Sequence, residues 1–195
     1  MIGPLKHPYW RFRFHSFGAR SIIHDLEWLR GAHQIAVGED VVIFRAWLAT
    51  EQRVWRRSEP ALRIGDRCII SPRSMINAAE SVVIEDDVAI GTAVLIVDSD
   101  HTTEPFDQIT FNPLKVSPVR IGRGTALGNQ AAVLAGSTIG RNCFIGTNSV
   151  VHGDIPDYSV AVGAPARVIG HTSDAERSPP SRMDRRSLRR LGAPI

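Results

Sequence analysis

At 195 residues, with 43% hydrophobic and 22% charged positions, the chain has room for one sizeable core and is too apolar for a disordered protein. No run of 18 apolar residues occurs and the N terminus lacks an apolar h-region, which argues against a spanning helix or a cleaved leader and leads to the expectation of a cytoplasmic protein. The net charge of +3 is small and the pI near 9.3 is pulled up by six arginines after residue 173, so nucleic-acid binding is not expected and the basic tail reads as solvated.

Residues 1–34 carry no regular repeat and mix aromatic with basic side chains, among them Tyr9, Trp10, Arg11, Phe12, Arg13, Phe14 and Trp28. Two readings stand: a cap over the open end of the domain that follows, where strand edges would otherwise be unpaired, or a patch resting on a membrane surface. From residue 35 an aliphatic residue returns at every sixth position, weakly at Val37 and Ile43, then regularly at Ile64, Ile70 and Ile76. An excursion over residues 49–61 separates these two runs. An eight-residue step leads to Ile84, Ile90 and Ile96, and a second excursion, residues 102–120, begins directly after His101. Its three prolines and two phenylalanines predict a structured arm whose apolar residues find no place in their own coil and pack against a neighbouring subunit. The period then runs Ile121, Leu127, Val133, Ile139, Ile145 and Val151, before a closing segment around Gly163 to Arg167 and a basic tail over 172–195.

A period of six is neither helical nor a simple strand alternation. It suits a solenoid of triangular section, with one hexad per side and three per coil. The aliphatic residue fills the axis. The fifth position, occupied by Thr125, Ala131, Ser137, Cys143 and Ser149, points inward near a corner where only a small side chain fits. Glycine beside the aliphatic, as at Gly122, Gly128, Gly140 and Gly146, is expected to ease the turn. Cys68 and Cys143 both occupy a fifth position and so read as core residues, not as a disulfide or metal pair. The fold class is therefore all-β, a left-handed parallel β-helix over 35–171 with an N-terminal cap.

These hexads resemble the hexapeptide-repeat acyltransferases, closest over residues 64–170 to the sugar O-acetyltransferases of maltose, galactoside and colanic-acid type. The resemblance implies acetyl transfer from acetyl-CoA to a hydroxyl of a sugar or polysaccharide precursor, in a homotrimer with its sites between adjacent solenoids and with no metal. Asp98-Ser99-Asp100-His101 stands where the family's catalytic histidine precedes the arm, which makes His101 the implied general base. The family's W-I-G-G/S motif is Ala126-Leu127-Gly128-Asn129 here, placing Asn129 near the thioester and losing the aromatic wall. S-V-V-T-K-D-I-P is Ser149-Val150-Val151-His152-Gly153-Asp154-Ile155-Pro156, and the closing segment carries Ala164 and Arg167. Gly128, Thr147, His152, Ala164 and Arg167 are the implied CoA-groove residues, with phosphate contact resting on Arg167 and Arg141. Two alternatives are weighed: a non-catalytic trimeric scaffold, and a γ-class carbonic anhydrase, which needs three zinc-binding histidines where only His101 and His152 lie within or beside the coils. An amine acceptor would use the same base.

Overall fold

The computed structural model describes residues 12–51, 59–103 and 112–172. Short strands occupy the three faces in turn, and each pairs in parallel with the strand one coil further on. The first coil is Ser16–Phe17, Ile22–Ile23 and Leu26–Arg30, and the second is Ile35–Val37, Val42–Ile43 and Ala46–Thr50. The third is Leu62–Ile64, Ile69–Ile70 and Met75–Ala78, and the fourth is Val82–Ile84, Ala89–Ile90 and Leu95–Val97. The fifth is Val119–Ile121, Ala126–Leu127 and Ala132–Val133, and the sixth is Thr138–Ile139, Phe144–Ile145 and Val150–Val151. A last partial coil, Asp154–Ile155 and Ser159–Gly163, is closed by the antiparallel strand Ala166–His171. The three faces are sheets of seven, eight and six strands, the left-handed parallel β-helix that the hexads predict.

Register explains the core. On the first face Ile64, Ile84, Ile121, Ile139 and Ile155 stand directly above one another, and the first four are at most 3% exposed. Each such side chain contributes about 1.5–3 kcal/mol through the apolar area it removes from water. The small fifth-position residues fill the corners and bond there. Thr125 Oγ1 donates to the Gly140 carbonyl at 2.8 Å and accepts from the Cys143 N–H at 3.0 Å. Cys68 and Cys143 are buried free thiols, and burial pushes the Cys68 thiol up to about 12.

The glycine after each aliphatic has a different cause from the one expected. The left-handed conformation falls two residues later, at the fourth hexad position, where Asp40, Arg67, Asp87, Gln130, Asn142 and Asn148 have φ of 52–61°. Glycine is needed because the next coil lies against it. A Cβ on Gly122 would stand 2.5 Å from the Gly140 carbonyl carbon, closer than any real Cβ contact.

Residues 16–30 are brought into the solenoid, although the sequence places them outside the repeats. Their strands pair in register with the second coil, Phe17 beside Val37 and Ile23 beside Ile43. The signal was present: Phe17, Ile23 and Leu29 keep the six-residue spacing, and Phe17-Gly18 is followed by a small fifth residue, Ser21. Ser21 makes the expected corner bond, donating to the Gly38 carbonyl at 2.6 Å. Residues 1–11, which hold Tyr9, Trp10 and Arg11, lie outside the described residues, as do 52–58 and the tail from 173.

Ion pairs run along the corner between the first and second faces. Arg20 grips Asp40, and Asp87 accepts from Arg67 at 2.5 Å and Arg123 at 2.9 Å. These arginines hold the Asp87 carboxyl below its ordinary value, while burial opposes them.

Candidate active site

The one-residue shortening from Ile43 to Leu48 lies between the second face and the third, while among the described residues the insertions into the period fall at one corner, between the third face and the first. There lie the excursion after Glu51, the turn Ala79–Ser81 that makes the eight-residue step, and the arm after Val97. A corner tolerates this because a loop leaving it disturbs no strand above or below.

The arm leaves the fourth coil as an antiparallel ribbon, Ser99–His101 against Leu114–Val116. Its base is tied where the Ser117 N–H donates to the Asp98 carbonyl at 2.8 Å. Residues 104–111 lie outside the described residues, so the expected packing of Phe106 and Phe111 on a neighbour falls there too.

His101 ends the outgoing strand with its side chain exposed, and its Nδ1 stands 3.1 Å from the carbonyl oxygen of Asn112. A carbonyl accepts only, so this contact puts a proton on Nδ1, and in the neutral ring Nε2 then carries the lone pair. The Asn112 side chain is buried and donates through Nδ2 to the Thr102 carbonyl, which ties the returning strand to the residue after His101. The Thr102 N–H donates to the Pro113 carbonyl at 3.1 Å. The ring is thus oriented by a closed set of main-chain bonds.

A groove of about 610 Å³ runs beneath the arm. Asp100, His101 and Lys115 form its arm side, Leu134 and Val150 of the third face its floor, and His152 and Ala164 its far end. His101, His152 and Ala164 all line this groove. Lys115, Asn112 and Ser117 escaped sequence reading, because the hexad template stops at His101 and resumes at Ile121. The ribbon register, which sets Lys115 opposite Asp100, is a tertiary fact.

Gly128, Asn129 and Thr147 sit elsewhere, at the corner between the second and third faces. Asn129 Oδ1 accepts the Thr92 N–H of the coil before at 2.9 Å. The equivalent N–H of Asn129 has no acceptor among the described residues, because the next coil presents Thr147 at the capping position. It is a donor left available at the surface. At about 3.3 Å per residue over five residues, the third face puts about 16 Å between the corner where the arm leaves and the corner that holds Asn129. One chain does not join them.

Arg167 is exposed on the closing strand, its guanidinium donating to the Ala166 carbonyl at 3.0 Å. Arg141 is engaged instead: it pairs with Asp157 at 3.0 Å and lies over the Tyr158 ring, at the first–second corner and away from the groove. Among the described residues no three His, Cys, Asp or Glu side chains converge as a metal site, and no helix is long and apolar enough to cross a membrane.

Residues 118–153 match the family model of the bacterial transferase hexapeptide, six repeats. A protein of Mycobacterium tuberculosis named a probable acetyltransferase is 44% identical over 119 residues, covering 58% of this chain and 38% of its own length. An Escherichia coli protein named as a candidate O-acetyl transferase of lipopolysaccharide biosynthesis is 37% identical over 102 residues, covering 48% of this chain and 52% of its own length. The chain thus spans about half the length of one of these relatives and less than half of the other. Among solved structures, an N-acyltransferase from Bacillus cereus in complex with dTDP and coenzyme A shares the fold with a TM-score of 0.72 at 16% identity, covering 89% of this chain and 92% of that one.

Proposed function

We propose that this chain is a CoA-dependent O-acetyltransferase that moves an acetyl group from acetyl-CoA to a hydroxyl of a sugar or glycan precursor, with His101 as general base. The observation that carries this reading is the imidazole at the mouth of the groove, with Nδ1 fixed by the Asn112 carbonyl and Nε2 free to accept a proton. The acetyltransferase relatives and the coenzyme A of the similar structure support the donor.

Nε2 takes the proton of the acceptor hydroxyl as its oxygen attacks the thioester carbonyl, and the imidazolium returns it to the thiolate when the carbon–sulfur bond breaks. No covalent enzyme intermediate forms. The uncapped N–H of Asn129 suits the negative charge that develops on the carbonyl oxygen. His152 and Ala164 of the groove, together with Gly128, Thr147 and the exposed Arg167, hold the donor.

This assignment needs a second protomer, since the arm that carries His101 leaves one corner of the third face and Asn129 stands at the other. The surface fits a homotrimer. The outer column of the third face reads Trp28, Trp47, Met75, Leu95, Ala132 and Val150, and that of the second reads Ile22, Val42, Ile69, Ala89, Ala126, Phe144 and Val160. The first face reads Ser16, Ala36, Arg63, Val83, Arg120, Thr138 and Asp154 in the same place, four of them polar or charged in the stretch from Arg63 on. Trp28 is 50% and Phe144 46% exposed in one chain, which two apolar faces meeting their neighbours would cover.

The test is thiol release from acetyl-CoA with a panel of sugars, amino sugars and lipid-linked glycans, for the wild type and His101→Ala. Acceptor-dependent release that falls by about 10²–10⁴ in the variant is the expected result. Release that is unchanged in His101→Ala would remove the base. Turnover confined to amino sugars would move the acceptor to an amine.

A further inference from the structure

The mechanism leaves one buried charge unused. The Asp98 side chain is fully buried, three residues before His101, and points away from the groove into the turn of the preceding coil. Its Oδ1 accepts the Ala79 N–H at 2.7 Å, and its Oδ2 accepts the N–H groups of Glu80 and Ser81, each at 2.7 Å. Such a set exists only because that turn is two residues longer than a hexad corner. The extra residues, at the eight-residue step between Ile76 and Ile84, present three consecutive N–H groups to one carboxylate.

We propose that Asp98 is a positioning residue for His101: the carboxylate clamps the foot of the arm to the third coil, and the clamp is carried along the ribbon to the imidazole. The connection is continuous on the molecule. The Asp98 carbonyl accepts the Ser117 N–H, which closes the ribbon's base. Ser99, Asp100 and His101 then pair with Val116, Lys115 and Leu114. At the far end the Asn112 carbonyl holds Nδ1, while the Asn112 side chain holds Thr102. Without the clamp the Asp98–Ser117 bond at the ribbon's base loosens, the outgoing strand slips against the returning one, and the Asn112 carbonyl no longer stays over Nδ1. The long step and the long arm, which look like two separate interruptions in the sequence, form one device. A carboxylate suits it because it offers acceptors only, whereas an amide would set its own N–H₂ against one or two of these N–H groups.

This role serves the base proposed above, yet it is read without turnover. The experiment is ¹⁵N–¹H correlation of the histidine side chains in the 195-residue chain, for wild type and Asp98→Asn, with amide exchange and acetyl-CoA kinetics alongside. In the wild type His101 is expected as the Nδ1-protonated tautomer, and the amides of Ala79, Glu80 and Ser81 exchange as slowly as those of neighbouring strands. In Asp98→Asn the His101 signal moves to the tautomer mixture of a free imidazole while those of His24 and His152 stay in place. The value of kcat falls by about 10-fold or more and KM for acetyl-CoA holds within about 2-fold, since a misplaced base costs rate and not donor binding. Should Asp98→Asn fail to fold, Asp98→Ser, which retains one acceptor, takes its place. Either variant, folded, with the wild-type His101 tautomer and kcat overturns the proposal, and so do fast-exchanging amides at 79–81 in the wild type. A wild type without turnover but with the predicted tautomer change would count against the transferase and leave the clamp standing.

Discussion

Replacing Gly122 by alanine tests how the coils are held together. Gly122 lacks a left-handed φ, so an alanine there adopts the backbone without strain and by chain entropy alone would stabilise the fold by about 0.4–1 kcal/mol. The neighbouring coil forbids it. The new methyl would lie 2.5 Å from the Gly140 carbonyl carbon and 2.7 Å from the Arg141 nitrogen, both main-chain atoms that cannot swing aside. Reaching an ordinary contact of about 3.4 Å means opening the coils by about 1 Å, which strains the Gly122 N–H bond to the Ile139 carbonyl at 2.8 Å. Overpacking of about 1–3 kcal/mol and one weakened hydrogen bond of about 1 kcal/mol add to a loss of about 2–4 kcal/mol. For a chain of this size that lowers Tm by about 5–15 °C. Gly136→Asn is the control. Its φ is 78° and its Cβ would meet nothing nearer than 3.4 Å, while Asn142 and Asn148 already hold this conformation at equivalent corners, so the cost is about 1 kcal/mol or less. Calorimetric melts at one protein concentration decide between them. If Gly122→Ala melts within about 2 °C of wild type, or Gly136→Asn falls as far, coil contact is not what selects glycine at the second hexad position.

Three further outcomes follow from particular groups. Asp87, held between Arg67 and Arg123, binds its proton less readily folded than unfolded, so its contribution is complete above about pH 5 and drains away as pH falls through the lowered folded value; Asp87→Asn should lose about 1–3 kcal/mol at pH 7 and show a flatter acid limb, measured by urea midpoints at pH 7 and pH 4. An unchanged acid limb would mean that the arginines do not hold it. Cys68 and Cys143 should resist a thiol-specific disulfide reagent at pH 8 until the protein unfolds, because burial raises both thiols, Cys68 to about 12. Rapid labelling of the native protein would contradict their place in the core. Arg167→Ala should weaken CoA binding by about 10-fold in calorimetry, as expected for a lost charge-assisted phosphate contact, whereas Arg141→Ala should leave it unchanged because that guanidinium is spent on Asp157 and Tyr158. Equal affinity for wild type and Arg167→Ala would place the phosphates elsewhere.

The solenoid was legible because its cause is local and repeated. An aliphatic residue every sixth position and a small residue four later need no partner distant in sequence to be recognised, and burial of Ile64, Ile84, Ile121 and Ile139 in one stack is their direct consequence. The first coil hid behind Phe17, an aromatic side chain where the template expects an aliphatic one. His101 was visible by its place at the edge of the repeat. What surrounds it was not, because Asn112, Lys115 and Ser117 reach it through an antiparallel ribbon whose register no periodicity encodes.

The sequence alone determined the architecture, the buried cysteines and the imidazole to examine, since each depends on residue type at a fixed spacing. Tertiary structure decided the rest. It moved the reason for glycine from the turn to the neighbouring coil, and it set Asn129 at the corner of the third face opposite the one the arm leaves. It also joined the long step at Ala79–Ser81 to Asp98, because hydrogen bonds between coils link residues about twenty apart, a distance at which sequence alone says only that two corners lie one above the other.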